Sequence, residues 1–416
     1  MPQSPSPRPV LGEKIALSEE HAATVRATLP LVGAKIHDIA PCFYGKMFTA
    51  HPELLRNLFN RGNQAGGMQP VALAASVAAF ATILVDPSSP DPDAMLRRIV
   101  AKHVSLGIRE DQYQIVHDNL FAAIVEILGD AVTPPVAEAW DEVYWLMART
   151  LINAESSTYT ELNVAPGDVF RTAVIAQRHD ISDDVVAFDL VGEPARELPT
   201  FAPGQYTSVG VHLPDGARQL RQYSLCSAPT DTAWRIYVKR VHDGGRPDGE
   251  VSNFLHKNFQ VGDLLEVTLP VGAIDVPADE YNPVVLISAG IGCTPMLGLL
   301  RAFADGSLAH RPVYVAHVSK AGVGNALQDE LAQAAAQLPQ CETRFWVTGD
   351  AQQGREGTIA GRMTFDDVPR PKQADFYVCG PEGFSEDVHS TLVGHGIDES
   401  RIHIELFTPN MHLLPA

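Results

Sequence analysis

Four segments of this chain carry residue types suited to holding phosphates and a redox-active ring. RQYS (221–224) follows PGQY (203–206). Its arginine can grip a diphosphate in a bidentate fork, and the tyrosine and serine two and three residues on can reach a flavin and its ribityl chain. By itself RQYS reads equally well as an ordinary strand with a surface arginine. GEVSNFLH (249–256) adds backbone amides and Ser252 at a helix start, an anion site for cofactor phosphates. SAGIGCTPM (288–296) leaves a strand and enters a helix, with Gly290 and Gly292 letting the backbone approach a pyrophosphate. It is not the GxGxxG fingerprint, and a glycine pair alone is a weak signal. CGP (379–381) ends a strand, where open α/β sheets bind ligands.

A histidine is the fifth candidate. Leu96, Ile99, His103 and Leu106 recur at helical spacing, which places His103 on an apolar stripe. A histidine in that setting is more often a satisfied core residue than a ligand. The other reading aims its ring at heme iron, which binds imidazole in globins.

These residues need elements to position them, and the pattern changes near residue 160. Upstream, apolar residues recur at helical spacing (Ile36, Ile39, Phe43, Met47; Val116, Leu120, Ile124, Ile127; Trp140, Tyr144, Met147, Leu151), so the first 157 residues read as all-helical. Pro30 suits the first turn of one helix, and Gly62, Gly66 and Gly67 break the chain before another. VALAASVAAFATILV (71–85) is shorter than the ~20 residues a membrane-spanning helix needs and reads as a buried helix. From 165 to 276, six short runs (DVFRTAVIAQ, VVAFDLV, QYTSVGVHL, QLRQYSLC, WRIYVKRV, LLEVTL) suggest a small antiparallel barrel. After Pro283, strands VVLISAG, PVYVAHV, TRFWVTG, DFYVCG and IHIELF alternate with helices, which indicates a parallel sheet. The expected fold is multidomain: an all-α domain over 16–158, an antiparallel β-barrel over 164–276 and an α/β parallel-sheet domain over 282–410. Residues 1–15, with MPQSPSPRPV and no apolar h-region, read as a disordered tail and not a secretory signal.

Lys and Arg total 31 against 50 Asp and Glu in 416 residues, a net charge of -19, so the surface repels phosphate backbones and nucleic acid is not an expected partner. Five scattered cysteines without CxxC spacing suggest neither disulfides nor a zinc site, but thiols in a reducing cytosol.

Taken in order, the four phosphate-handling segments resemble the ferredoxin-NADP reductase superfamily, in which an FAD barrel precedes a nicotinamide domain. That resemblance implies that Tyr206, Arg221, Gln222, Tyr223 and Ser224, with Val251 and Ser252, hold FAD. It assigns NADH or NADPH to Gly290, Ile291, Gly292, Cys293, Thr294 and Pro295 together with Cys379, Gly380 and Pro381. In IELFTP (404–409), Phe407 resembles the aromatic residue that covers the flavin ring, and Glu405 the carboxylate beside it.

Upstream, AKHVSLGIREDQYQIV (101–116), FYGKMF (43–48) and HPELLRNLF (51–59) closely resemble the flavohemoglobins. Globin, FAD barrel and nicotinamide domain in that order are the architecture of that family, and the resemblance covers residues 18–410. It implies heme b, with His103 as proximal iron ligand and Tyr113 and Glu155 behind it. A carboxylate accepting the imidazole N–H fixes the tautomer and makes the ligand more electron-rich. In isolation, Glu155 would read as a solvated helix-end carboxylate and Tyr113 as a packing aromatic. On the distal side the resemblance places the Tyr44 hydroxyl and Gln69 near bound dioxygen, Leu73 as a restriction of the pocket, and Phe59 wedged against the heme. Lys102 resembles a lysine at the heme–flavin junction, though a solvated charge is as good a reading.

The implied activity is a nitric oxide dioxygenase: electrons pass from NAD(P)H through FAD to heme, and NO and dioxygen become nitrate. Flavin is needed because a hydride carries two electrons while ferric heme accepts one. The sequence by itself supports only a heme–flavin oxidoreductase. An oxygen-binding or sensor globin with an attached reductase, and a flavin-dependent peroxide or quinone reductase, remain alternatives. Small-molecule partners, a cytoplasmic monomer and no stable membrane insertion are expected. Three positions depart from the common pattern: Cys293 where glutamine is frequent, Leu406 where cysteine is frequent, and Ser385 where an apolar residue is frequent. They leave the choice between NADH and NADPH open.

Overall fold

The computed structural model describes residues 16–407 apart from 63–67, 87–92, 195, 243–247, 273, 275, 277–281, 322–324 and 350–357; for 68–72, 93–94, 307 and 325–326 the backbone alone is described. The chain divides into two compact units, one of residues 1–170 with 212–220 and 409–416, the other of 171–211 with 221–408.

The first unit is helical: α1 (Glu19–Ala50), α2 (Pro52–Asn57), α3 (Met68–Val85), α4 (Asp93–Leu106), α5 (Asp111–Leu128) and α6 (Pro134–Glu161). Ser18 caps α1 by accepting from His21 N–H. Pro30 does not start a helix as its residue type suggested; it lies with Pro41 inside the single 32-residue α1. Each proline removes one backbone hydrogen bond. Helix α1 persists because Val25, Val32, Ile39, Phe43 and Met47 remain buried on both sides of the prolines. In α6 the buried positions Trp140, Val143, Tyr144, Met147, Leu151, Ala154 and Glu155 follow the helical period, so a carboxylate occupies an otherwise apolar face. Among the described residues, no helix is long and apolar enough to cross a membrane.

The barrel-forming sheet has strand order β4-β3-β6-β1-β2-β5. Its strands are β1 (Phe170–Asp180), β2 (Val185–Gly192), β3 (Tyr206–His212), β4 (Arg218–Ser224), β5 (Trp234–Lys239) and β6 (Leu264–Thr268). The β1–β2, β2–β5 and β3–β6 pairs are antiparallel, with a bulge between Ile175 and Gln177. The ends of the edge strands meet where Cys226 N–H donates to Arg235 O at 2.8 Å, which curls the sheet toward closure. Helix α7 (Glu250–Asn258) is tied to β5 by His256, whose ring Nε2 lies 2.8 Å from Val238 O.

The second sheet is parallel, in the order β10-β9-β8-β7-β11-β12. It comprises β7 (Val284–Ala289), β8 (Val313–Lys320), β9 (Cys341–Thr348), β10 (Ile359–Ala360), β11 (Asp375–Cys379) and β12 (Ile402–Glu405). Helices α8 (Cys293–Ala304) and α9 (Asn325–Ala335) cover one face, and α10 (Glu382–Gly394) the other. Strands β7 and β11 are buried throughout, as central parallel strands must be. The chain winds from β7 outward through β8, β9 and β10, then returns to β11 on its other side. The crevice between the ends of β7 and β11 is therefore the topological switch point, where such sheets bind ligands.

Candidate functional site

Three helices assemble the cluster around His103. Helix α4 carries His103 in its last turn, α5 carries Tyr113 in its first, and α6 supplies Glu155. One Glu155 carboxylate oxygen lies 2.7 Å from His103 Nδ1 and 2.5 Å from the Tyr113 hydroxyl. Nδ1 and that hydroxyl are themselves 3.0 Å apart. An acceptor shared by two donors places a proton on each, so Nδ1 carries the hydrogen, and in the neutral imidazole Nε2 then holds the lone pair that a metal needs. Nε2 makes no hydrogen bond among the described residues. The His103 side chain is 30% exposed, whereas that of Glu155 is 4% exposed. Burial, reinforced by the Glu155 charge, drives the Tyr113 phenol far above its ordinary range, so it remains a donor. Tyr144 donates to Tyr113 O at 2.6 Å and Tyr159 to Ile108 O at 2.7 Å, anchoring the backbone on both sides of the cluster.

Tyr44, on α1, is 4% exposed, and burial raises its phenol above the usual range. Its ring packs against Phe43, Phe48 and Phe59 at centroid distances of 4.5, 5.4 and 5.8 Å. Its hydroxyl has no hydrogen-bond partner among the described residues. A phenol packed this deeply whose hydroxyl has no protein partner among the described residues offers its O–H to a ligand, and together with the open His103 Nε2 it fits a heme pocket. Phe59 sits on the turn after α2. There Gln219 donates to the carbonyls of Arg56 and Phe59 at 3.1 and 3.2 Å and accepts from Arg61 N–H at 3.3 Å. Nothing in the local sequence pattern marked Gln219, because its partners lie more than 150 residues away in the chain. Leu73 on α3 is half-buried and Lys102 on α4 is exposed; Gln69 stands in the first turn of α3 with its side chain outside the described part.

On β4, Arg221 and Tyr223 share one face because side chains alternate along a strand, and Ser224 ends it. Burial raises the Tyr223 phenol, with the Arg221 charge opposing, and the hydroxyl has no hydrogen-bond partner among the described residues. A cation beside an unfilled phenol fits the diphosphate and ring of FAD. Gln222 points the other way and donates to the Ser208 hydroxyl at 2.9 Å. Tyr206 exchanges backbone hydrogen bonds with Val271 at 2.8 and 3.1 Å. Ser252 is used inwardly: its hydroxyl accepts from Val241 N–H at 3.1 Å and donates to Gly249 O at 3.3 Å. What the start of α7 offers an anion is its backbone amides, beside fully buried Val251. Phe407 is 48% exposed, and Glu405 is half-buried at the end of β12.

The segments SAGIGCTPM and CGP come together. A Cβ on Gly292 would lie 2.4 Å from Cys379 O and 2.8 Å from Gly380 N, so only glycine lets the β7 turn close onto CGP. Gly290 takes φ 56°, the left-handed region. Ile291 O accepts from the Thr294 hydroxyl at 3.0 Å, Pro295 lies in the first turn of α8, and Pro381 caps α10. Cys293 and Cys379 are fully buried, and burial raises the Cys293 thiol, so it packs as an apolar residue. Nearby, His317 is fully buried opposite Ser288, with Nδ1 2.9 Å from its hydroxyl, and burial lowers its pKa to about 4.

Three known families match the chain in succession. The globin family matches residues 42–151, the oxidoreductase FAD-binding domain 172–276 and the oxidoreductase NAD-binding domain 286–390. A flavohemoprotein of Rhizobium meliloti is 36% identical over 406 residues, 95% of this chain and 99% of that protein. One of Chromobacterium violaceum is 38% identical over 401 residues, 94% and 98%. Among solved structures, a flavohemoglobin from Malassezia yamatoensis with bound FAD and heme superposes with a TM-score of 0.84 at 34% identity, covering 94% of this chain and 99% of its own. The flavohem-like FAD/NAD-binding domain of a nitric oxide dioxygenase from Vibrio cholerae gives 0.52 at 33% identity, over 57% of this chain and 98% of that one. The chain therefore belongs to the flavohemoprotein family, a heme-binding globin continued by FAD- and NAD-binding oxidoreductase domains.

Proposed function

We propose that this protein is an NAD(P)H-dependent nitric oxide dioxygenase, turning NO and dioxygen into nitrate. The observation that carries the reading is the buried Glu155 carboxylate shared by His103 and Tyr113. Bound heme supplies an iron that accepts single electrons and dioxygen, while FAD splits the hydride pair delivered by NAD(P)H. Glu155 holds His103 in one tautomer, directs Nε2 outward and increases its electron donation. A reversible oxygen carrier gains nothing from a buried anion there, whereas oxygen activation does. Tyr113 restrains Glu155 and, as a neutral phenol, adds no charge of its own. Tyr44 supplies a hydroxyl donor from an aromatic cage that excludes water. NO is small and uncharged, so no basic funnel is required of an acidic protein. The V. cholerae neighbour, named a nitric oxide dioxygenase, supports the same reading.

The test is continuous NO consumption by purified holoprotein with NADH or NADPH and oxygen, nitrate being measured as product. Catalytic turnover supports the proposal. A single burst equal to the protein concentration would identify a carrier or sensor. Turnover of peroxide or quinone without NO consumption would identify a flavin reductase.

A further inference from the structure

The end of β4 and helix α8 meet along a tightly drawn seam. Thr294, Gly298 and Arg301 lie four and three residues apart, on one stripe of the helix. Each meets the two residues that follow Ser224. Thr294 O accepts from Cys226 Sγ at 3.2 Å. Gly298 faces Leu225 O so closely that a Cβ would stand 2.5 Å from it. Arg301 donates through Nη1 to Cys226 O at 2.6 Å and through Nη2 to Glu330 at 2.5 Å, with the Tyr237 hydroxyl beside it. Leu225 and Cys226 are themselves held, their N–H groups donating to Gln205 O and Arg235 O at 2.9 and 2.8 Å. Leu225 is 1% exposed and Cys226 is fully buried.

One end of this seam is the RQYS strand, and the other is the helix whose first turn follows Gly290 and Gly292. We propose that Gly298 and Arg301 are positioning residues that set the separation between the flavin-holding strand and the nicotinamide-holding helix, and with it the hydride-transfer distance. The inference rests on reading RQYS and SAGIGCTPM as the FAD and nicotinamide sites. In the step concerned, the C4–H bond of the dihydronicotinamide breaks and an N5–H bond forms on the flavin. The hydrogen carries both electrons, leaving the nicotinamide oxidised and the flavin reduced. Neither Gly298 nor Arg301 takes part chemically; they fix how far the hydrogen must travel. Such transfer is steeply distance-dependent, and a misplacement of about 1 Å can cost ~100-fold.

Gly298→Ala is the direct perturbation. The added methyl must retreat by about 1 Å to reach ordinary contact with Leu225 O, which pushes α8 off the strand. Anaerobic stopped-flow reduction of FAD by saturating NADH or NADPH should slow by about 10- to 100-fold, with FAD content and nicotinamide Kd within about threefold of wild type. The long-wavelength charge-transfer absorbance of the flavin–nicotinamide complex should weaken, and a crystal structure should show the helix displaced. Arg301→Met combined with Glu330→Gln, which leaves no unpaired carboxylate, should slow the same step while preserving folding. It decides the matter if the alanine variant loses FAD. Wild-type hydride-transfer rate and charge-transfer intensity in the variant that folds would overturn the proposal, as would a loss confined to nicotinamide Kd. If wild-type FAD were not reduced by either nicotinamide, the underlying site reading would be wrong instead.

Discussion

Replacing Glu155 with leucine removes the acceptor from two donors at once. In the native cluster His103 Nδ1 and the Tyr113 hydroxyl both donate to one carboxylate oxygen, at 2.7 and 2.5 Å. Because those donors stand 3.0 Å apart, Nδ1–H can turn to the phenol oxygen once Glu155 is gone, recovering one neutral hydrogen bond. The phenol O–H, buried in Tyr113, is then left without an acceptor. Losing two charge-assisted bonds at ~1.5–3 kcal/mol each and regaining one at ~1 leaves a net cost of about 2–5 kcal/mol. For a unit of this size that corresponds to a melting shift of roughly 5–20 °C. Glu155→Gln keeps an acceptor oxygen and loses only the charge, so its shift should be about a third as large. Differential scanning calorimetry of the holoprotein measures both, and transfer of heme to an apoglobin acceptor reports the grip of His103. NO turnover should fall in both variants, while NADH reduction of FAD stays at the wild-type rate. Leucine and wild type melting within about 2 °C of each other would refute the shared-acceptor reasoning.

His103→Ala should yield protein with normal FAD and little stably bound heme; heme absorbance at wild-type stoichiometry would remove His103 as ligand. Arg221→Ala should weaken FAD binding by about 30-fold or more, the loss of a charge-assisted phosphate contact of ~2 kcal/mol, with heme content unchanged on titration. Tyr44→Phe deletes a donor worth about 1–2 kcal/mol, so dioxygen release in stopped flow should quicken by about tenfold without affecting FAD reduction. His317 gives a pH dependence. Its folded pKa of about 4 lies below the ordinary 6.5, so the unfolded chain takes up a proton between those values and the native one does not. Stability is therefore full above pH 6.5 and falls by about 3 kcal/mol as pH drops to 4. Urea unfolding of the second unit at pH 7 and 4.5 should show that loss in wild type and much less of it in His317→Gln.

The sequence carried the elements that its periodicities encode. The alternation of VVLISAG and DFYVCG with helices gave the parallel sheet, and short runs from 165 to 276 gave the antiparallel one. Pro30 misled because residue type alone cannot report that apolar contacts on either side of a proline hold one helix together. Glu155 looked like a solvated helix-end acid for the same reason; its burial depends on His103 and Tyr113, 52 and 42 residues away. Ser252 was legible as a helix-start residue, but the direction of its hydroxyl is fixed by Val241 N–H. Gln219, Gly298 and Arg301 were not legible at all. Each acts through backbone groups brought close by the fold, and a carbonyl leaves no mark on the residue type that bears it.

The proposed activity requires that dioxygen and NO be joined in one product. Single-turnover reaction of the reduced holoprotein with ¹⁸O₂, followed by unlabelled NO, and mass analysis of the nitrogen oxides formed, tests that directly. Nitrate carrying two ¹⁸O atoms and one ¹⁶O is the expected product, in an amount matching the NO consumed. Nitrite alone, or nitrate without both labels, would contradict the dioxygenase assignment.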